Sequence, residues 1–430
     1  MQIRKLHRDK APDFQTIKNF SIENPECFLA HNGIPIYLLP IQDQEIVKID
    51  FIFKAGDYAA KSALVPLSTL AMLQEGSLSQ PGEEIAERLD FLGSYIYNNV
   101  TKDDATISVC CLEKHLAETM NIVTDFIINP TFPEDKFQTH IRKREERYKI
   151  DIERVEVLSQ KKLANILYGE NHPYGRSAVL EDFCKLSHDD LIKFHSLNYV
   201  AENCKIIICG NPKSQEVKNL IKTLQENGIK SLNKKLQTTN YKQISNEQKQ
   251  FRIAKEQAVQ SSINIGKIMV NRSHKDFVPL QVLNTIFGGY FGSRLMSNIR
   301  EDKGFTYGIG SGIISYEHSG YFIITTRVGK EVVEPALEAI YEEMRRIRKE
   351  LVSQDELEMV KTYMLSTLVR NFDGAIATSE MLKNILGYNL DFKQYYHQYW
   401  KTIQSIQPKD IQQLANDYLN EDSMYEIVVG

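Results

Sequence analysis

The C-terminal ends of the two halves of this chain spell the same pattern, so the fold must be built from two like units. Leu186–Gly210 reads L-S-H-D-D-L-I-K-F-H-S-L-N-Y-V-A-E-N-C-K-I-I-I-C-G, and Ile406–Gly430 reads I-Q-P-K-D-I-Q-Q-L-A-N-D-Y-L-N-E-D-S-M-Y-E-I-V-V-G. They align without a gap at an offset of 220 residues. Each is a helical pattern, then a polar turn, then a buried strand that ends in Gly. Val65-Pro66-Leu67 recurs as Val278-Pro279-Leu280, 213 residues on, and each opens a helix-like apolar run.

Leu116, Met120, Val123 and Ile127 step by four, three and four. Val333, Leu337, Ile340, Met344, Ile347 and Leu351 step the same way, which predicts one face of an amphipathic helix in each half. Strands are expected upstream of these helices, at Ala105–Leu112 and Gly320–Val328. Alternation at Val47, Ile49, Phe51 and Phe53, and at Val259, Ser261, Ile263 and Ile265, predicts two more. The order of strands and helices is that of an α+β protein with helices on one face of a sheet. The reading is two domains, 1–230 and 251–430, joined by a polar linker at 231–250 rich in Lys, Asn, Gln, Ser and Thr.

A net charge of −4 offers no general attraction to nucleic acid or to an anionic membrane. The basic runs Arg142-Lys143-Arg144 and Arg345-Arg346 are interleaved with acids and suit a solvated helix face. The six cysteines form no C-x-x-C pair, and the N-terminal residues lack the apolar stretch of a signal peptide. These features predict a reducing, cytoplasmic setting.

Phe287–Gly312 concentrates seven of the 22 glycines. Glycine accumulates where backbone bends sharply or approaches something closely. Gly288, Gly289, Tyr290 and Gly292 are expected to form a mobile loop. Arg300 and Tyr307 follow on either side of the turn at Lys303-Gly304, suited to handling another chain's backbone.

The residues resemble a known family. Asn32-Gly33, Ala55-Gly56, Asn171-His172-Pro173-Tyr174-Gly175-Arg176, Ser293-Arg294-Leu295, Ile299-Arg300-Glu301 and Gly304-Phe305-Thr306-Tyr307 occur in order along two α+β halves. This is similar to the pitrilysin/insulinase family of zinc peptidases, in the short bacterial branch that resembles mitochondrial processing peptidase. The resemblance implies two tandem homologous α/β-sandwich domains, each an antiparallel-rich sheet covered by helices, forming a clam-like half-chamber.

Catalytic members carry H-x-x-E-H on a helix, where two His at i and i+4 bind zinc and the Glu serves as general base. A second Glu follows about one long hairpin later. The register set by Gly76-Ser77 puts Leu67, Ser68, Thr69, Leu70 and Ala71 at the motif, and the later Glu near Arg147. Leu67, Leu70 and Ala71 can neither hold a metal nor move a proton, so no metal is expected in this chain. Among the ten histidines no two lie three to five apart. His188 and His195 are seven apart without a third ligand nearby, and His172 reads as a turn residue.

What the resemblance retains is an Arg and a Tyr seven residues apart in the C-terminal half, here Arg300 and Tyr307. It implies that they hold a substrate carbonyl and stabilise the oxyanion. The leading expectation is a non-zinc-binding subunit of a heterodimeric zinc peptidase. A partner chain of similar size would supply H-x-x-E-H and the zinc, and an unfolded peptide would pair with a strand edge. The alternatives are a structural or peptide-binding protein of the same fold, and a homodimeric peptidase with an unorthodox site.

Overall fold

The computed structural model describes residues 20–42, 44–226, 229–232, 241 and 246–430. Most of the linker segment and the N-terminal residues lie outside the described residues. Among the described residues, eleven strands fall into two sheets. The first contains β1 (Glu26–Leu29), β2 (Pro35–Pro40), β3 (Ile46–Phe53), β4 (Tyr95–Val100), β5 (Ala105–Leu112) and β6 (Cys204–Gly210), in the order β1-β2-β6-β3-β5-β4. The second contains β7 (Gln250–Ile253), β8 (Gln260–Met269), β9 (Thr306–Ser315), β10 (Gly320–Gly329) and β11 (Tyr425–Val429), in the order β7-β11-β8-β10-β9.

Without β1, the two orders are the same. The repeated ends supply β6 and β11, and these are inner strands of their sheets. Each pairs in parallel with one neighbour, β2 or β7, and antiparallel with the other, β3 or β8. The preceding helices, His188–Asn198 and Pro408–Tyr418, start alike. Asp190 and Asp410 reach back to the backbone N–H of Ser187 and Gln407, at 3.0 and 2.8 Å. That satisfies an otherwise orphaned donor at each entry.

Ala105–Leu112 forms β5, and Gly320–Val328 lies within β10. The predicted helices occur at Leu116–Ile128 and Val333–Lys349. Two positions differ. Val259 is 88% exposed and precedes β8, and Leu351 is 51% exposed beyond its helix. Both sit at element ends, where local periodicity carries little information.

The front face of each sheet packs on helices of its own half. The back faces are covered reciprocally. Helix Val155–Tyr168, from the first half, lies on β8 and β11. Leu163 meets Gly266 so closely that a Cβ there would lie 3.2 Å from it and 2.5 Å from the Phe322 carbonyl. Ser159 bonds the Ser262 hydroxyl at 2.8 Å and accepts from Asn264 at 2.7 Å. Helix Gly374–Leu386, from the second half, lies on β2 and β6. Lys48 of β3 donates to Ser379 and Glu380 of that helix, at 2.9 and 2.7 Å. Each sheet therefore completes its core with a helix of the other half. Among the described residues no helix is long and apolar enough to cross a membrane.

Candidate functional site

The positions expected to hold the degenerate motif, Leu67 to Ala71, lie on helix Val65–Met72, whose second residue is Pro66. Proline is tolerated in the first helical turn because its missing N–H has no intrahelical partner there. The three motif positions do not converge. Leu67 is 44% exposed and Ala71 is partly exposed, four residues on, whereas Leu70 is 1% exposed and packs in the first core. A general base at position 70 would sit among apolar side chains.

Helix Glu134–Asp151 packs against this helix. Its Arg144 donates from one guanidinium nitrogen to the Ser68 hydroxyl at 2.7 Å and to the Leu64 carbonyl at 3.1 Å. Among the described residues no carboxylate forms an ion pair with Arg144. Burial lowers its pKa, with Asp57 acting in the opposite sense. One turn earlier, burial pushes His140 down to about 4, helped by Arg144 and Lys143, and its buried Nε2 has no partner among the described residues. The basic run Arg142-Lys143-Arg144 is therefore not wholly a solvated face. Arg142 and Lys143 are exposed, but Arg144 turns inward. Helical spacing held the signal, because Phe137, Ile141, Arg144 and Tyr148 step by four, three and four along the less exposed side. Arg147, near which the second glutamate would fall, is 72% exposed and pairs with Asp151 at 3.1 Å.

A zinc ion does not fit these positions. Two leucines and an alanine offer no donor atom, and the buried Ser68 hydroxyl between them is held by a cation, Arg144. Among the described residues no group of three or more His, Cys, Asp or Glu is placed to hold a metal. His188 and His195 turn their Nε2 atoms to the Phe132 and Ile127 carbonyls, and His172 Nδ1 accepts the Tyr174 N–H at 3.0 Å.

The second half differs in kind. Helix Phe277–Asn284, which holds Val278-Pro279-Leu280, runs on into a π-helical turn at Thr285–Gly289, and a second follows at Met296–Asp302. Such turns are rare and recur at functional sites. Gly288 is explained by close packing. A Cβ there would lie 2.5 Å from the Ser311 hydroxyl and 2.8 Å from Leu295. Phe287 and Gly288 are buried, Tyr290 stacks near Tyr363 with centroids 5.1 Å apart, and Gly289, Phe291 and Gly292 are exposed.

Arg300 sits on the second π-turn, with its guanidinium 4.7 Å from the centre of the Phe291 ring and no ion pair among the described residues. The chain reverses at Gly304, whose φ of +64° suits glycine. Tyr307 follows on β9, the edge strand of its sheet. Thr306 to Ile309 opposes only Thr326 to Val328, so β9 carries one extra residue there. Such a bulge re-aims side chains, and Tyr307 is 95% exposed. Neither the π-turns nor the bulge was legible in the sequence beyond its glycine content.

A cavity of about 840 Å³ lies between the halves, on the back face of β4 and β5. Tyr95 and Tyr97 line it from β4, Asp103 and Asp104 from the β4–β5 turn, and Glu317 from the β9–β10 turn. Asp103 ties the halves together by accepting from the Tyr174 hydroxyl at 2.5 Å and from the Glu317 N–H at 2.8 Å. Among the described residues the Asp104 carboxyl accepts no such bond. Burial, then Asp103 and Glu317, push its carboxyl up to about 7.

Residues 185–364 match the model of the peptidase M16 inactive domain. The chain is 24% identical over 315 residues to the uncharacterized zinc protease YmxG of Bacillus subtilis, covering 73% of this chain and 75% of that protein. It is 20% identical over 389 residues to the probable inactive metalloprotease YmfF of the same organism, covering 82% and 86%. Among solved structures, a peptidase M16 inactive domain from Pseudomonas fluorescens superposes with a TM-score of 0.84 at 23% identity, over 95% of this chain and 98% of that one. A protease from Helicobacter pylori gives 0.85 at 18%, over 95% and 100%. With the repeated sheets and these matches together, the chain has the fold of the solved peptidase M16 inactive domain, and residues 185–364 resemble that family's inactive domain in sequence.

Proposed function

We propose that this chain is the non-zinc-binding subunit of a two-chain zinc peptidase that acts on unfolded peptides. In this reading a partner of similar size carries H-x-x-E-H and the zinc. This chain contributes Arg300 and Tyr307 for the substrate carbonyl and the developing oxyanion. The observation that carries the reading is Tyr307, 95% exposed at a bulge on an edge strand. Folding gains almost nothing from a phenol held in that way. Arg300 supports it, as a cation stacked on an exposed ring beside a π-turn.

The edge strand β9 has ten residues with neither proline nor charge. Natural edges are usually blunted by such residues; here Met296 and Asn284 meet the Ile309 N–H and the Ser311 carbonyl, and the rest of the edge suits an extended peptide added as a further strand. Gly289 to Gly292, the exposed part of the glycine-rich segment, would guide the peptide. The setting would be cytoplasmic, which six unbonded cysteines support.

The test is reconstitution with an H-x-x-E-H chain of similar length. Arg300→Ala and Tyr307→Phe are each expected to lower kcat by roughly 100-fold, with the complex intact by size exclusion. Full activity in both variants would instead favour a structural or peptide-binding role. The tyrosine-lined cavity between the halves favours that second reading.

A further inference from the structure

The lost zinc motif is more than a set of missing ligands, because a fixed cation stands beside it. Arg144 joins helix Glu134–Asp151 to the first turns of helix Val65–Met72 through Ser68 and Leu64, at 2.7 and 3.1 Å. Ser68 is fully buried. A metal held by two His on the first helix and a Glu on the second would join the same two helices. We infer that Arg144 acts as a built-in cation that bridges these helices in place of a metal, and that its charge closes the position to zinc.

The charge is effective because no ion pair neutralises it, although Asp57 acts on it from farther off. The acceptors of Arg144 are a hydroxyl and a carbonyl, and among the described residues no carboxylate forms an ion pair with it. Ser68 lies next to Leu67 in sequence and one turn from Ala71, so the guanidinium stands about one helix turn from the two former ligand positions. A divalent ion there would meet a fixed positive charge at short range in a partly desolvated setting. Coulomb repulsion of that kind lowers affinity by roughly ten- to a hundred-fold. The inference rests on the register that places the motif at 67–71. It does not depend on the two-chain reading, and its tests need no partner.

The experiment restores only the ligands, as Leu67→His, Ala71→His and Arg147→Glu, with and without Arg144→Gln. Glutamine keeps a donor for Ser68 and removes the charge. Zinc affinity is read by competition with a chromophoric chelator, after circular dichroism shows that both proteins are folded. The protein with Arg144→Gln is expected to bind zinc at least tenfold more tightly, an order of magnitude consistent with one uncompensated charge. Equal affinity in the two backgrounds, measurable or not, overturns the inference. If the ligand-restored proteins do not fold, Arg144→Ala in the native sequence decides. A lower melting temperature is expected of a lost helix bridge, and an unchanged one overturns it.

Discussion

Two equivalent helices, Val65–Met72 and Phe277–Asn284, lead into differently packed segments. In the first half, the position that the resemblance gives to a general base has been taken over by packing, while Leu67 stays 44% exposed. Leu70 is core, and Ser68 and Leu64 are tied to Arg144. In the second half, the helix runs into π-turns and a bulge that leave Phe291 and Tyr307 in solvent, and folding has no need of that exposure. The contrast shows that two halves can share a strand order while burying equivalent segments to different degrees.

The sharpest way to break the comparison is to return a carboxylate to the first half. Leu70→Glu would bury a charge among apolar side chains with no partner, at an expected cost of about 3 kcal/mol or more in urea unfolding. A loss below about 1 kcal/mol would mean that the first site has not been absorbed into the core.

A smaller effect separates packing glycines from open ones in the second half. Gly288→Ala is expected to cost about 1–3 kcal/mol, because the new methyl would strike Ser311 and Leu295. Gly308→Ala, with nothing within 4 Å, should stay within about 0.5 kcal/mol. Equal losses would show that the two positions are not distinguished by close packing.

The smallest effect is set by pH. Unfolded Asp104 releases its proton near the ordinary carboxyl value, about 4, while the folded carboxyl holds it to about 7. Between these values the unfolded chain binds fewer protons, so this residue's contribution to stability falls as pH rises. Asp104→Asn is therefore expected to raise the melting temperature at pH 8 and to leave it unchanged near pH 4. A gain of equal size at both pH values would rule out the titration as its cause.

Much of the architecture was legible because it is local or repeated. The shared pattern of Leu186–Gly210 and Ile406–Gly430 pointed to two equivalent helix–strand units, and they occupy equivalent places. That Leu67, Leu70 and Ala71 cannot hold a metal was readable from residue type. The rest depended on contacts distant in sequence. Nothing near Arg144 announces Ser68, which lies 76 residues earlier. The bulge at Tyr307 exists only relative to Thr326 and Val328. The glycine-rich segment was readable as unusual. Gly288's role against β9 was not, because it is a matter of close approach rather than of freedom.

The exchanged helices carry a mechanical consequence. To hinge one half away from the other, the chain would have to lift Val155–Tyr168 off β8 and β11 and, at the same moment, Gly374–Leu386 off β2 and β6. Two seated apolar faces, one on each sheet, therefore oppose separation of the halves. Neither half keeps its back face covered if the other is pulled away.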